Sequence, residues 1–247
     1  MDIGILQVDS VLPRFRLRHG DYPDMFGSLF LRAGREVGEE TGCENSVRVR
    51  NFDVLAGDLP QARACDGYVI TGSRQSVYEE LPWLPALVDF AAQAMAVARP
   101  VIGICFGHQL LAHYFGGEVA PAEAGWGVGV HTSAVVEHHS WMDPPLQNIA
   151  MLVSHKDQVR ALPAGAEVFA SSDFCPIAGF RIGSSALAFQ SHPEFQKAYS
   201  SDLMDMRRKM LGGATYARGK ASLAQDTHER EVARWILNFI REARGRP

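Results

Sequence analysis

The sequence predicts an α/β protein: three layers, with a mostly parallel central sheet, helices on both faces and an antiparallel extension of the sheet. Three observations predict it. Short apolar runs alternate with helix-period segments through the first two-thirds of the chain. One of those runs passes through Gly-x-Cys-x-Gly into a helix. After Gly116-Gly117 the helical segments give way to closely spaced strands.

Residues 3–8 are apolar at most positions and form the first strand. Residues 22 to about 38 read as a helix, because Met25, Leu29 and Ala33 recur at four-residue spacing. Val47-Arg48-Val49-Arg50 alternates strictly, the pattern of a half-exposed strand. Residues 67–72 make a short strand closed by glycine and suited to a buried parallel position. An amphipathic helix over 83–98 is entered through Pro82 and stopped before Pro100. Residues 101–104 are the next strand, and 110–115 carry apolar residues at helical spacing. Strands expected at 128–136, 149–153, 168–170, 177–182 and 186–189 are joined by short turns, so they should pair antiparallel. Helices are expected at 197–211 and 229–243, the second with Trp235, Phe239 and Ala243 four apart. Between them, residues 212–220 read as a loop that borders a pocket.

At 247 residues the chain reads as one domain, 1–247, with a core over about 1–195 and a C-terminal helical segment over about 196–247. A net charge of −4 argues against a nucleic-acid binder that relies on bulk positive charge. No apolar run approaches the roughly 18–20 residues of a membrane span. The N-terminal stretch lacks the basic start of a secretory signal. Cys43, Cys65, Cys105 and Cys175 are widely spread with no Cys-x-x-Cys pair, which suits reduced thiols rather than a disulfide framework or a zinc site. A cytoplasmic protein with neither membrane nor nucleic-acid partner is expected.

Gly103-Ile104-Cys105-Phe106-Gly107-His108-Gln109 is where chemistry concentrates. A free cysteine is commonly just a small buried hydrophobe. Here glycines on both sides permit a tight strand-to-helix turn that exposes the side chain between them. The helix N-terminus behind it favours a negative charge and so favours thiolate. Phe106, next along, offers its backbone N–H to an oxyanion.

Ser191-His192-Pro193-Glu194 supplies an imidazole with a carboxylate two positions on. Proline pushes the residue before it towards extended backbone, where positions i and i+2 share a side, so Glu194 can orient His192. Thr71-Gly72-Ser73 ends the strand before the helix that precedes Cys105, and Gly72 there permits close approach of backbone to a substrate. Ser154-His155-Lys156-Asp157 follows another strand and reads equally as pocket lining or as a polar loop. His108 and His113 stand five apart, which is not metal-ligand spacing. No metal and no cofactor is expected, since a thiol mechanism needs none.

With these motifs the chain resembles the class I glutamine amidotransferase family. Residues 103–109 match its Gly-x-Cys-x-Gly-x-Gln signature, 192–194 match its His-Pro-Glu, and the order of elements agrees to about residue 194. Residues 21–23, 67–73 and 103–109 are most similar to stand-alone members, related to the amidotransferase domain of GMP synthase and to plant γ-glutamyl peptidases. The resemblance implies a flavodoxin-like amidotransferase fold and a Cys105–His192–Glu194 triad that cleaves the γ-amide of glutamine through a γ-glutamyl thioester. It implies an oxyanion site at Gly72 and Phe106, and a substrate pocket lined by Gln109, Ser73, Ser154, His155 and Asp157. Many synthase-linked members have Gly-Gly-Pro where this chain has Thr71-Gly72-Ser73. A separate synthase subunit is the partner implied for a glutaminase. The alternatives are a self-sufficient γ-glutamyl peptidase and, from another class, a catalytically silent binding module.

Overall fold

The computed structural model describes residues 1–41 and 47–245, so Cys43 lies outside the described residues. In chain order it contains β1 (Asp2–Gln7), α1 (Pro13–His19), α2 (Tyr22–Thr41), β2 (Arg48–Asp53), β3 (Gly67–Ile70), α3 (Leu84–Ala96), β4 (Val101–Ile104) and α4 (Phe106–Tyr114). There follow β5 (Glu118–Pro121), β6 (Gly127–Val135), β7 (Asn148–His155), β8 (Asp157–Ala161), β9 (Ala166–Ser171), β10 (Gly179–Ile182), β11 (Ala186–Phe189), α5 (Lys197–Ser222) and α6 (Glu229–Arg244). No helix among the described residues is long and apolar enough to cross a membrane.

A nine-stranded sheet runs in the order β2-β1-β3-β4-β11-β10-β9-β6-β7. Pairings from β2 through to β11 are parallel, and those from β11 onward to β7 are antiparallel. This is the mixed sheet with an antiparallel extension that the strand spacing predicts. Strand side chains alternate between two faces, and each face has its own core. Ile3, Ile5, Val69, Ile102, Ile104, Leu187 and Phe189 pack with Phe26 and Phe30 of α2 and with Trp235, Ile236 and Phe239 of α6. Leu6, Tyr68, Ile70, Val101, Ala186 and Ala188 pack with Leu87 and Phe90 of α3 and with Leu110 and Leu111 of α4. The inner strands of the parallel half, β1, β3, β4 and β11, are therefore buried on both faces, which is why they read as continuous apolar runs, whereas the edge strand β2 is mostly exposed.

Three parts of the chain differ from expectation. Residues 13–19 form α1, entered through Pro13. Its Phe15 and Leu17 alternate with Arg14, Arg16 and Arg18, so it carries no apolar stripe of helical period. Residues 118–121 and 157–161 pair as a separate two-stranded sheet, β5 with β8. The supposed loop at 212–220 is helical apart from Gly212, whose φ of 74° and ψ of 163° break α5 into two arms. In a straight helix residues 201 and 220 would stand about 28 Å apart. Instead Lys220 Nζ donates to Ser201 Oγ and to Asp205, and Tyr216 Oη donates to Asp205 at 2.6 Å. The second arm therefore folds back on the first. A Cβ on Gly219 would lie 2.6 Å from Met204 Sδ, so that glycine is needed for the arms to touch. The returned arm borders a hollow against Trp126, Val128 and Phe174, in keeping with the pocket-bordering role expected of it.

Candidate active site

Strands β3, β4 and β11 are neighbours in the parallel half, and their C-terminal ends deliver Gly72, Cys105 and His192 to one edge of the sheet. That edge is where open α/β sheets bind ligands. The sharpest local feature is the turn from β4 into α4. Cys105 itself, rather than either flanking glycine, carries the positive φ, at 51° with ψ −94°. A non-glycine residue held there stores strain that the surroundings must enforce. Its N–H donates to Phe189 O at 2.8 Å, and its C=O accepts from Gln109 N–H at 3.0 Å. The glycines serve close approach instead. A Cβ on Gly103 would meet the Gly107 backbone at 2.5 Å, and one on Gly107 would meet Ile70 O at 2.6 Å.

The turn does not lift Cys105 into the open. The residue is only 5% exposed and lines a cleft at this edge of the sheet. Its cover is specific: Gln190 Nε2 donates to Cys105 Sγ at 3.6 Å, and the His192 ring lies near enough to feel the charge of the sulfur. Gly72 leans on the same pair. A Cβ there would come within 2.8 Å of His192 Cε1 and 3.6 Å of Cys105 Cβ. Phe106 occupies the first turn of α4, where a helix leaves its N–H groups unused, and its own ring is buried against Trp83.

His192 and Glu194 meet, with Nδ1 to Oε1 at 2.8 Å and both side chains buried. They do so across a turn rather than along an extended strand: Phe195 N–H donates to His192 O at 3.4 Å. The His192 N–H donates to Leu152 O at 2.8 Å, which ties the loop after β11 to β7. The Phe195 ring stacks on the imidazole with centroids 3.8 Å apart. Burial opposes a charge on His192. The negative charge of Glu194, then that of the Cys105 sulfur, with the hydrogen bond to Glu194, outweighs it and raises the imidazole to about 10.

Ser154-His155-Lys156-Asp157 is not a loop: Ser154 and His155 end β7, and Asp157 begins β8. All four line the cleft, with Ser73, Cys105 and Gln109. Gln109 Nε2 donates to Asp157 O at 2.8 Å and to Gln190 Oε1 at 3.2 Å. Ser76 Oγ donates to Asp157 Oδ2, while Asp157 Oδ1 has no hydrogen-bond partner among the described residues. His155 is buried and pushed well below its usual pKa, first by burial and then by the neighbouring rings of His131, His192 and His108.

Six residues at or beside the cleft escaped the sequence reading, Arg74 and Gln75 of the loop after Gly72 among them. Gln190 stands two positions before His192 and was visible only as part of that strand's end. Ser76 follows Gly72 at the distance of one loop. Trp126 and Arg207 also line the cleft, and no local pattern marks them. Among the described residues, the ligand atoms of Glu137, His139 and Glu167 converge to within 4.8 Å of one another. Arg181 fills the space, donating to His139 Nε2 at 3.1 Å and pairing with Glu167, and none of these residues lines the cleft. A metal would have to displace a guanidinium there.

A thiol, an imidazole and a buried carboxylate in series, beside two backbone N–H groups, can carry out acyl transfer. Comparisons with known proteins agree on the kind of chain this is. Gamma-glutamyl peptidase 4 of Arabidopsis thaliana is 28% identical over 223 residues, 87% of this chain and 83% of that one. A GMP synthase [glutamine-hydrolyzing] of Thermomicrobium roseum is 38% identical over 176 residues, 70% of this chain but 30% of that one. The crystal structure of a glutamine amidotransferase from Thermotoga maritima superposes with a TM-score of 0.68 at 18% identity, covering 98% of this chain and 96% of that one. The profile described as glutamine amidotransferase class-I matches residues 21–204, and so the chain belongs to that family.

Proposed function

We propose that this protein is a cysteine hydrolase of γ-glutamyl amide bonds, with Cys105 as nucleophile, His192 as proton carrier and Glu194 as the group that orients the ring. The observation that carries this reading is the buried 2.8 Å His192–Glu194 pair set against the strained turn at Cys105. The sulfur attacks the γ-carbonyl carbon, and the resulting oxyanion accepts from the N–H groups of Gly72 and Phe106. Collapse breaks the C–N bond as His192 gives its proton to the departing amine, leaving a γ-glutamyl thioester. Water then loses a proton to His192 and attacks the thioester, so glutamate leaves and the thiol is restored. Gln109 and Gln190 hold the floor of the cleft. Asp157, with one oxygen unpaired, faces the substrate's ammonium, while Ser73, Ser154 and His155 fill in the walls.

Glutamine is the simplest substrate of this chemistry, and the amine then released is ammonia for a separate synthase subunit. A second reading, a self-sufficient γ-glutamyl peptidase, is favoured by likeness to γ-glutamyl peptidases along nearly the whole chain. The purified protein, given glutamine and a γ-glutamyl dipeptide in parallel, separates them: faster peptide cleavage without any partner supports the peptidase. Cys105→Ala should abolish hydrolysis of either compound while leaving the circular dichroism spectrum unchanged. Full activity in that variant overturns the proposal. Failure of wild-type protein both to hydrolyse either compound and to react at Cys105 with a γ-glutamyl-like electrophile overturns it in favour of a binding module.

A further inference from the structure

Arg207 lies on the first arm of α5, just past the residues matched by the family profile, yet it lines the same cleft as Cys105 and Gln109. Its Nη1 donates to Ser154 Oγ at 2.6 Å, and its guanidinium lies 5.1 Å over the ring of Trp126. Those two contacts fix the planar fork but leave its charge unanswered: among the described residues no salt bridge joins Arg207 to a carboxylate. The other arginine of the cleft differs. Arg74 is already neutralised by Asp9, with Nε to Oδ2 at 2.8 Å and Nη2 to Oδ1 at 2.6 Å. Lys156, the remaining cation of the cleft, is exposed. A half-buried guanidinium, held by an aromatic face and a hydroxyl and lacking an anion, suits recognition of a planar carboxylate.

We propose that Arg207 binds the free α-carboxylate of the substrate and so restricts this site to γ-glutamyl compounds with an unblocked α-carboxyl group. This rests on the proposed γ-glutamyl hydrolase activity and adds to it a determinant outside the matched family segment. An opposite charge in the same cleft completes the fit. Asp157, with its unpaired Oδ1, answers the α-ammonium, so the two ends of the amino-acid head group are sorted by charge. Burial lowers the Arg207 pKa from its usual value, partly offset by Tyr22, Tyr199 and Cys105, in keeping with a cation that gains from an incoming anion.

The test compares γ-glutamyl-p-nitroanilide with its α-carboxamide analogue, each as kcat and KM, in wild type, Arg207→Gln, Arg207→Lys and Lys156→Gln. Wild type should prefer the free acid by about 100-fold in kcat/KM, as expected for a desolvated charged hydrogen bond of about 1.5–3 kcal/mol. Arg207→Gln should bring that ratio to within about threefold of unity, mainly through KM for the acid, with the amide nearly unaffected. Arg207→Lys should recover only part of the preference, and Lys156→Gln should keep it. Because the ratio is internal to each variant, a general loss of folded protein does not move it. A wild type that cleaves both compounds equally, or an Arg207→Gln variant that keeps the preference, overturns the assignment while leaving the hydrolase reading intact. No cleavage of either compound by wild type, together with no reaction of Cys105 with the γ-glutamyl-like electrophile, overturns the hydrolase reading itself.

Discussion

At Gly72 the distance between a working and a crowded site is a single methyl group. A Cβ there would press within 2.8 Å of His192 Cε1, and the ring has no room to retreat because Phe195 stacks against it at 3.8 Å between centroids. Gly72→Ala should therefore lower kcat by at least about tenfold, since reacting groups misplaced by even an ångström lose that much or more. Thermal stability should change little. Parallel kinetics and melting curves check this; an unaltered kcat refutes the tight geometry. This residue also shows what a sequence can and cannot disclose. Cys105, His192 and Glu194 were legible because each sits in a short contiguous motif whose local geometry follows from its neighbours. The reason for the glycines was not: Gly103 and Gly107 are required by backbone contacts with each other and with Ile70, a strand away, and the unusual φ falls on Cys105. Arg207 carried no signal at all, because only the packing of α5 on the sheet brings it to Trp126 and Ser154.

At the level of single elements, strands were legible wherever both faces are buried, and the helices wherever one apolar stripe is continuous. α1 and α5 broke those rules in different ways. α1 alternates apolar and basic residues, and Leu17 is fully exposed, so tertiary contact rather than periodicity holds it: Arg18 donates to Asp202 at 2.9 Å, and His19 pairs with the same carboxylate. α5 was cut short at Leu211 because two adjacent glycines look like a loop, yet only the first departs from helical backbone. Gly212 adopts a φ and ψ that few other residues tolerate, and nothing lies within 4 Å of where its Cβ would be. Its replacement is thus a test of backbone strain without a clash. Gly212→Ala should destabilise the protein by about 1–3 kcal/mol in urea denaturation. No loss of stability would mean that the arms keep their hairpin without the glycine.

Across the molecule, two buried imidazoles set the response to acid. His108 faces Phe180 in the core under α4, and burial, only slightly opposed by the Ile177 backbone, lowers its pKa to about 3. His155 is lowered as well, again chiefly by burial. Each is neutral in the fold but takes up a proton near pH 6.5 once unfolded. Their contribution to stability is complete above pH 6.5 and is lost as pH falls below it, for His108 down to about 3, at a slope of at most about 1.4 kcal/mol per pH unit for each. His192 acts in the opposite direction. Its raised pKa stabilises below pH 6.5 and loses that effect as pH rises through about 10, so it adds no slope on the acid side. Unfolding free energies at pH 7, 6 and 5 should fall less steeply for His108→Leu than for wild type. Identical slopes would show that the ring is not held neutral.

The tie between His192 and Leu152 has a consequence for how such a protein can change. One bank of the cleft, built on β3 and β4, holds Gly72 and the sulfur of Cys105 and tolerates almost no alteration. The other bank, with Ser154, Asp157, Trp126 and Arg207, hangs on the antiparallel strands and the doubled helix, away from the strained turn at Cys105. Mutation can explore that second bank freely, trading one clientele for another, while the tightly packed bank around Cys105 passes unchanged between descendants.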